Sequence, residues 1–244
     1  MMSNSFDSIS VAILAGGLGT RLRPVVVDRP KVLALVDGVP FLSHILQQIA
    51  RAKIDEAVLL VGHGAREVCS TFGNRKFGVN LRYSLETELL GTGGAVRLAL
   101  PTTHRKTILL MNGDSYCHLD LRAFADYHFG HGGKVSLSLT WMDNASRYGR
   151  VALGPDDRMT GFAEKVTHPA PGWINAGVYL IERELFEILE PNRPISLERD
   201  LMPDWISKHA VFGFRGGEFI DIGVPESYAQ ASAFFRTIPG GKQG

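Results

Sequence analysis

The apolar run Val11-Ala12-Ile13-Leu14-Ala15 empties directly into Gly16-Gly17-Leu18-Gly19-Thr20-Arg21-Leu22-Arg23, and this junction restricts the chain more than any other stretch. An unbroken apolar run of strand length reads as a strand covered on both faces, as in the parallel sheets of α/β proteins. Glycines at its end let backbone N–H groups approach a polyanion, and Arg21, Arg23 and Lys31 crowd positive charge around the same loop. Glycines after a strand also make ordinary turns, but basic residues packed into this one favour a phosphate site. The ligand class implied is a nucleoside triphosphate.

Two familiar glycine motifs do not fit. A Walker-type loop needs a Gly-Lys-Ser/Thr ending that is absent; the dinucleotide fingerprint wants a glycine where Leu22 stands and an open helix that Pro24 discourages. With 244 residues, 45% hydrophobic and 21% charged, the chain can bury one substantial core. A single domain over 1–244 is expected, with a nucleotide-binding half over about 9–130, a second half over about 131–236 and a flexible C-terminal tail. Lys and Arg number 26 against 25 Asp and Glu, which gives no basic field of the kind nucleic-acid binding demands. Cys69 and Cys117 have neither metal nor disulfide spacing, the N-terminus lacks a basic, apolar leader, and no run approaches the roughly 20 apolar residues of a membrane span. A cytoplasmic protein without nucleic-acid or membrane partners is expected.

Beyond the glycine loop, Leu42, Ile45, Leu46, Ile49 and Ala50 recur at helical spacing, and Ala57-Val58-Leu59-Leu60-Val61 reads as the next strand. A helix over 64–71, a strand over 81–85, a helix over 91–100 and a buried strand over 107–112 continue the alternation, which predicts a parallel sheet with helices on both faces. After a helix over 121–128 the pattern changes. Val135, Leu137, Leu139 and Trp141 alternate with Ser136, Ser138 and Thr140, as in a strand with one more polar face, and strands near Val151, Phe162 and 174–181 follow. The second half is therefore expected to be mixed. Ser196 is placed to cap a helix carrying Leu197, Leu201, Met202, Trp205 and Ile206, and Pro225 to open a last helix through Phe235.

Asn112-Gly113-Asp114 ends an apolar strand, where open α/β sheets place ligands, and Asp221 lies in a second apolar, strand-like context. A carboxylate flanked by strand residues is costly to bury without cations or several donors. The pair suits Mg²⁺, which takes one or two protein carboxylates plus phosphate and water. Turn formation by Asp114 and helix capping near Asp221 account for the same spacing equally well.

In order and spacing, the glycine loop from Leu14 to Pro24, Arg29-Pro30-Lys31, Leu90-Gly91-Thr92-Gly93-Gly94, Asn112-Gly113-Asp114 and Glu164-Lys165 resemble the sugar-1-phosphate nucleotidyltransferases over almost the whole chain. Ser146-Arg147-Tyr148-Gly149-Arg150-Val151, Ile174-Asn175-Ala176-Gly177-Val178-Tyr179, Ser196-Leu197-Glu198-Arg199-Asp200 and Phe219-Ile220-Asp221-Ile222-Gly223 look most like their D-glycero-D-manno-heptose 1-phosphate guanylyltransferase branch, which serves bacterial surface-polysaccharide pathways. The resemblance implies a Rossmann-like three-layer α/β sandwich with a mostly parallel mixed sheet, whose second half binds the sugar. It implies transfer of GMP from GTP to a manno-heptose 1-phosphate, with release of pyrophosphate.

The catalytic residues it implies are Arg21, Lys31, Asp114, Lys165 and Asp221. Arg21 would hold the triphosphate and the departing pyrophosphate, Lys31 would lie near the α-phosphate, Lys165 would pair with the sugar phosphate, and Asp114 with Asp221 would hold Mg²⁺. Leu14, Ala15, Gly16, Gly17, Gly19 and Thr20, with Gly113, would surround the nucleotide; Gly91 and Thr92 would approach its base. Glu86 is a tempting acceptor for guanine N–H groups and reads equally as an exposed glutamate at a strand end. Gly149, Glu164, Lys165 and Asn175 are the implied sugar partners. Tyr148, Trp173 and Tyr179 are either an apolar wall for the sugar or core aromatics. Val32, Val166 and Ala176 depart from the family pattern without removing a charge. The same motifs fit UTP, CTP or dTTP with a hexose or amino-sugar 1-phosphate, and also a non-catalytic nucleotide-sugar sensor; the retained charged residues weigh against the sensor. A homodimer stays open.

Overall fold

A computed structural model describes residues 5–164 and 169–238. The first strand, β1 (Ile9–Leu14), buries both faces: Val11 and Ile13 enter one apolar core, while Ala12 enters a second on the opposite side. This is what period two requires of a strand inside a layered sheet. The chain continues through β2 (Leu35–Val36), β3 (Val39–Pro40), α1 (Phe41–Arg51), β4 (Glu56–Val61), α2 (Ala65–Phe72), β5 (Arg75–Lys76), β6 (Val79–Leu85), α3 (Gly91–Ala99), β7 (Thr107–Asn112), β8 (Ser115–Cys117) and α4 (Leu121–His131). β7, β1, β4 and β6 lie side by side and parallel. Leu14 pairs with Asn112, so the glycine loop and Asn112-Gly113-Asp114 open at the same edge of the sheet.

The helices cover both faces as their apolar spacing predicts. Phe41, Leu42, Ile45, Leu46 and Ile49 of α1 are fully buried in one core, and Val96 and Ala99 of α3 in the other. Asp120 starts α4 by accepting from the backbone N–H groups of Arg122 and Ala123, and Gly132 in a left-handed conformation ends it.

The second half contributes β9 (Val135–Met142), β10 (Gly149–Leu153), β11 (Met159–Glu164), β12 (Gly172–Glu182), α5 (Glu184–Glu187), α6 (Met202–Lys208), β13 (Val211–Arg215), β14 (Phe219–Asp221) and α7 (Pro225–Thr237). β12 runs antiparallel to β7 and joins both halves into one mixed sheet, β11-β10-β12-β7-β1-β4-β6-β5, with β9 and β13 branching from β12. The α/β layered architecture with a parallel central run is as expected. β14 pairs with β8, setting Asp221 opposite Ser115. Among the described residues no helix is long and apolar enough to cross a membrane.

Ser136, Ser138 and Thr140 form the more polar face of β9, as its alternation predicts, and all three are buried. Ser136 Oγ shares a hydrogen bond of 2.8 Å with His128 Nδ1 on α4, and Thr140 Oγ1 donates to the Gly217 carbonyl at 2.9 Å, so internal partners replace water at these two positions. Ser196 does cap by accepting from Arg199 N, but a wide π-type turn over Leu197–Leu201 precedes α6. Pro203 has no N–H to give that turn, which accounts for the break in regular α geometry.

The packing of α1 on α7 generates a pH test. His44 is 7% exposed, stacks on Phe235 at 3.7 Å and has no partner for Nε2 among the described residues. Burial, and then the Arg51 charge, lower its pKa to about 4 despite the opposing pull of Asp37. The folded state therefore refuses a proton that the unfolded chain accepts near pH 6.5, and stability falls as pH drops from that value toward 4. Between pH 7.5 and 4, wild-type protein should lose about 3 kcal/mol more than His44→Leu in denaturant unfolding; parallel losses would exclude His44 as the source.

Candidate active site

At the carboxyl ends of β1 and β7 lies a crevice of about 480 Å³. Leu14, Gly16, Gly17, Gly19, Thr20, Arg21 and Lys31 line its loop side, Glu86, Gly91 and Thr92 a second side, and Asp114 its floor. Leu18, Leu60, Leu89, Ala95, Asn112 and Gly223 complete it. Ala15 and Gly113 lie just beneath: Ala15 N donates to Leu60 O and Gly113 N to Leu14 O, both at 2.8 Å, so these residues extend the sheet. Leu22, where a dinucleotide motif would put glycine, is a 1% exposed anchor that ties the loop to the core. Arg23 lines a neighbouring cavity of about 610 Å³ with Arg29, His63 and Arg66, and is not part of the crevice wall.

Lys31 is the centre of the charge arrangement. Its Nζ lies 2.6 Å from Asp114 Oδ2, with the lysine side chain 10% and the aspartate side chain 43% exposed. Burial alone would push the Asp114 carboxyl up, but the ammonium of Lys31 and the charge of Arg21 outweigh it and hold the group below the usual carboxylate range. Gly19 makes the approach possible: its φ is +60°, and a Cβ there would stand 2.9 Å from Lys31 Cβ.

Asp221 arrives on the adjoining strand, where Ile222 N donates to Asp114 O at 2.9 Å. Its Oδ1 accepts from Gly223 N at 2.7 Å, a turn that leads into α7, and its Oδ2 accepts from the Tyr148 hydroxyl at 2.5 Å. Arg147 stands 3.7 Å away. The helix-capping role expected near Asp221 is not what it performs: Val224 is the N-cap of α7, with no side-chain cap bond, and Asp221 instead closes the turn before it. Of the two acids only Asp114 lines the crevice; Asp221 lies beside it with Oδ1 on Gly223 N and Oδ2 on the Tyr148 hydroxyl, and carboxylate oxygens of this kind are the donors Mg²⁺ takes.

Glu86 is half-buried. Its Oε2 accepts from Leu90 N at 3.4 Å, and burial raises its carboxyl above the usual range against that bond. Asn175 and Gly149 sit on β12 and β10, outside the crevice wall. Asn175 Oδ1 accepts from Gly177 N at 2.8 Å and its Nδ2 donates to the Tyr179 hydroxyl at 2.7 Å. Glu164 ends β11; its side chain and Lys165 lie outside the described residues, as does Val166. Tyr179 is fully buried core, and Trp173 packs edge-on against Trp141. Tyr148 is instead a hydrogen-bond donor to Asp221, a role no local pattern reveals because 73 residues separate them. Glu198 was also hidden: it accepts from Thr92 Oγ1 at 2.9 Å across 106 residues.

A family model described as nucleotidyl transferase matches residues 10–237. The chain is 37% identical over 220 residues to a D-glycero-α-D-manno-heptose 1-phosphate guanylyltransferase of Aneurinibacillus thermoaerophilus, covering 90% of this chain and 95% of that relative. An enzyme of the same name from Campylobacter jejuni is 34% identical, with 88% and 95% covered. The crystal structure of HddC from Yersinia pseudotuberculosis superposes with a TM-score of 0.83 at 30% identity, covering 93% of this chain and 99% of that one, and its complex with GMP-PN gives the same TM-score at 29% identity.

The loop packing yields a paired test. A Cβ on Gly16 would meet Gly62 N at 2.9 Å and Glu86 Oε1 at 2.6 Å, whereas one on Gly17 has nothing within 4 Å. Gly16→Ala should cost about 1–3 kcal/mol in urea unfolding, while Gly17→Ala should stay within about 0.5 kcal/mol of wild type. Equal losses would contradict this arrangement of the loop.

Proposed function

This chain belongs to the nucleotidyl transferase family, and from that premise we propose that it attaches GMP from GTP to a D-glycero-D-manno-heptose 1-phosphate, releasing pyrophosphate. The observation that carries the reading is the crevice in which a glycine loop, Arg21 and the Lys31–Asp114 pair face one another at the carboxyl edge of the sheet. Two guanylyltransferase relatives covered along nearly their whole length, and a neighbour solved with GMP-PN, support the base and the sugar.

An oxygen of the sugar phosphate attacks the α-phosphorus of GTP; the bond from that phosphorus to the bridging oxygen breaks, and its electron pair leaves with pyrophosphate. The attacking phosphate is already ionised, so the chain needs no nucleophile of its own and contributes positioning and charge. Backbone N–H groups of Gly16, Gly17 and Gly19, with Arg21, hold the β- and γ-phosphates, and Lys31, anchored by Asp114, meets the α-phosphate. Asp114 and Asp221 would hold Mg²⁺, which supplies neutralisation of phosphate charge. Glu86 offers acceptors only. Guanine presents N1–H and the 2-amino group side by side, whereas uracil and thymine present a single ring N–H between two carbonyls, so a carboxylate at this wall favours guanine. Lys165 pairs with the sugar phosphate, and Gly149, Glu164 and Asn175 bind sugar hydroxyls. A reaction consuming GTP belongs in the cytoplasm, where the triphosphate is made.

Incubation with GTP, UTP, CTP or dTTP and a panel of sugar 1-phosphates, followed by pyrophosphate release, should show GTP with the manno-heptose phosphate as the preferred pair. Preference for a pyrimidine triphosphate would overturn the assignment, and nucleotide binding without pyrophosphate under saturating magnesium would favour a sensor. Asp114→Asn and Asp221→Asn should each lower turnover by about a hundredfold or more and weaken Mg²⁺ binding in a chain that still folds by circular dichroism. Wild-type rates and metal affinity in both variants would remove the two-carboxylate site.

A further inference from the structure

Behind the crevice runs a chain of hydrogen bonds that joins the turn at the start of α3 to β12. Glu198 is its hub. Thr92 Oγ1 donates to Oε2 at 2.9 Å, Ser196 Oγ to the same oxygen at 3.2 Å, and the Tyr179 hydroxyl to Oε1 at 3.2 Å. A carboxylate has no proton to give, so each hydroxyl must point its hydrogen at Glu198. With its hydrogen committed, the Tyr179 oxygen can only accept, and it does so from Asn175 Nδ2 at 2.7 Å. The other end of that amide is equally constrained, because Gly177 N donates to Asn175 Oδ1 at 2.8 Å. Gly177 has a φ of +74°, and a Cβ there would stand 2.6 Å from Asn112 Nδ2.

Tyr179 is completely buried, so no solvent interrupts the sequence of bonds, and burial followed by the nearby Glu198 charge holds its phenol far above the usual range. The polarity of every bond is thereby set from one carboxylate. Asn175 is left with one N–H and one oxygen lone pair in fixed places. On the nucleotide side the clamp is continuous with backbone bonds: Gly93 N donates to Ile195 O at 2.9 Å, Ile195 N to Leu90 O at 2.8 Å, and Leu197 N to Thr92 Oγ1 at 2.7 Å.

We propose that Glu198 is a positioning residue: through Tyr179 it fixes which way the Asn175 amide presents its donor and acceptor to the sugar, and through Thr92 it ties that amide to the base-side turn. The proposal rests on the reading that Asn175 contacts the sugar and Thr92 lies at the nucleotide. Glu198→Gln keeps the shape but introduces an N–H₂ group, which can face a hydroxyl and reverse its direction; the amide orientation is then no longer dictated.

Wild type, Glu198→Gln, Tyr179→Phe and the double variant are compared in Tm and in KM and kcat for each substrate. Each single change should raise KM for the sugar 1-phosphate about tenfold, with a smaller change in kcat and in KM for GTP. The double variant should be no worse than the more affected single one, because both act along one chain of bonds. An unchanged sugar KM in Glu198→Gln, or effects that multiply in the double variant, would overturn the proposal. Should Glu198→Gln fail to fold, Tyr179→Phe, which removes one oxygen, decides by the same criterion: a raised sugar KM supports the chain of bonds and an unchanged one ends it. If wild type prefers another sugar phosphate, the substrate assignment falls, and the same cycle run with the preferred sugar still decides the role of Glu198.

Discussion

The ammonium of Lys31, 2.6 Å from Asp114 Oδ2, is what lets a carboxylate stand immediately beyond a buried strand. β7 is buried along nearly its whole length, and Gly113 is pressed against Leu14 O so tightly that a Cβ would lie 2.4 Å away. Lys31 meets that half-exposed carboxylate from a side chain only 10% exposed, so the pair offsets the partial desolvation that the end of the strand imposes on both charges. Lys31 reaches it because the chain reverses through Gly19 and then turns at Pro30, whose carbonyl accepts from Leu33 N at 2.8 Å. The glycine loop and the acid at the end of β7 are therefore one structural unit, although 83 residues separate Lys31 from Asp114.

How much of the fold was legible follows from what burial does to composition. β1, β4 and β7 are covered on both faces and so appear as unbroken apolar runs, which is why their existence and parallel direction could be read directly. The more polar face of β9 was legible, but not what it meets, because alternation of apolar and polar residues is the same whether the polar side faces water or faces His128 and the Gly217 carbonyl. The pairs β2–β3 and β8–β14, with two or three residues per strand, are too short to carry any period, yet β8–β14 is the element that brings Asp221 to Asp114.

The site divides along the same line between local and distant causes. Gly19 and Lys31, which both line the crevice, were marked by local composition alone, a glycine after a strand and a cation close behind it. Arg21 and Arg23 show the limit: two residues apart, they line different cavities, and spacing does not say which way an irregular loop turns. Tyr148 and Glu198 carried no local mark. Tyr148 had every appearance of a packing aromatic, and only the fold reveals that burial, then the adjacent Asp221, raise its phenol and that its hydroxyl is spent on that carboxylate.

β12 explains why the two halves act as one surface. Along one edge β9 pairs with it on both sides of a register shift between Asn175 and Tyr179; along the other, Trp173 and Ile174 pair with β10 and Val178 to Glu182 with β7. A strand that must satisfy both ladders has to yield somewhere, and it yields at Gly177, where a left-handed backbone costs least. The break lies two residues from Asn175 and beside Asn112, so the irregularity sits at the seam between the two halves of the sheet. In-line displacement depends on holding two anions within bonding reach at a fixed angle. In the reaction proposed above that alignment would be a matter of strand register, because the hydrogen-bonded ladder between β7 and β12 sets the separation of the residues the two strands carry.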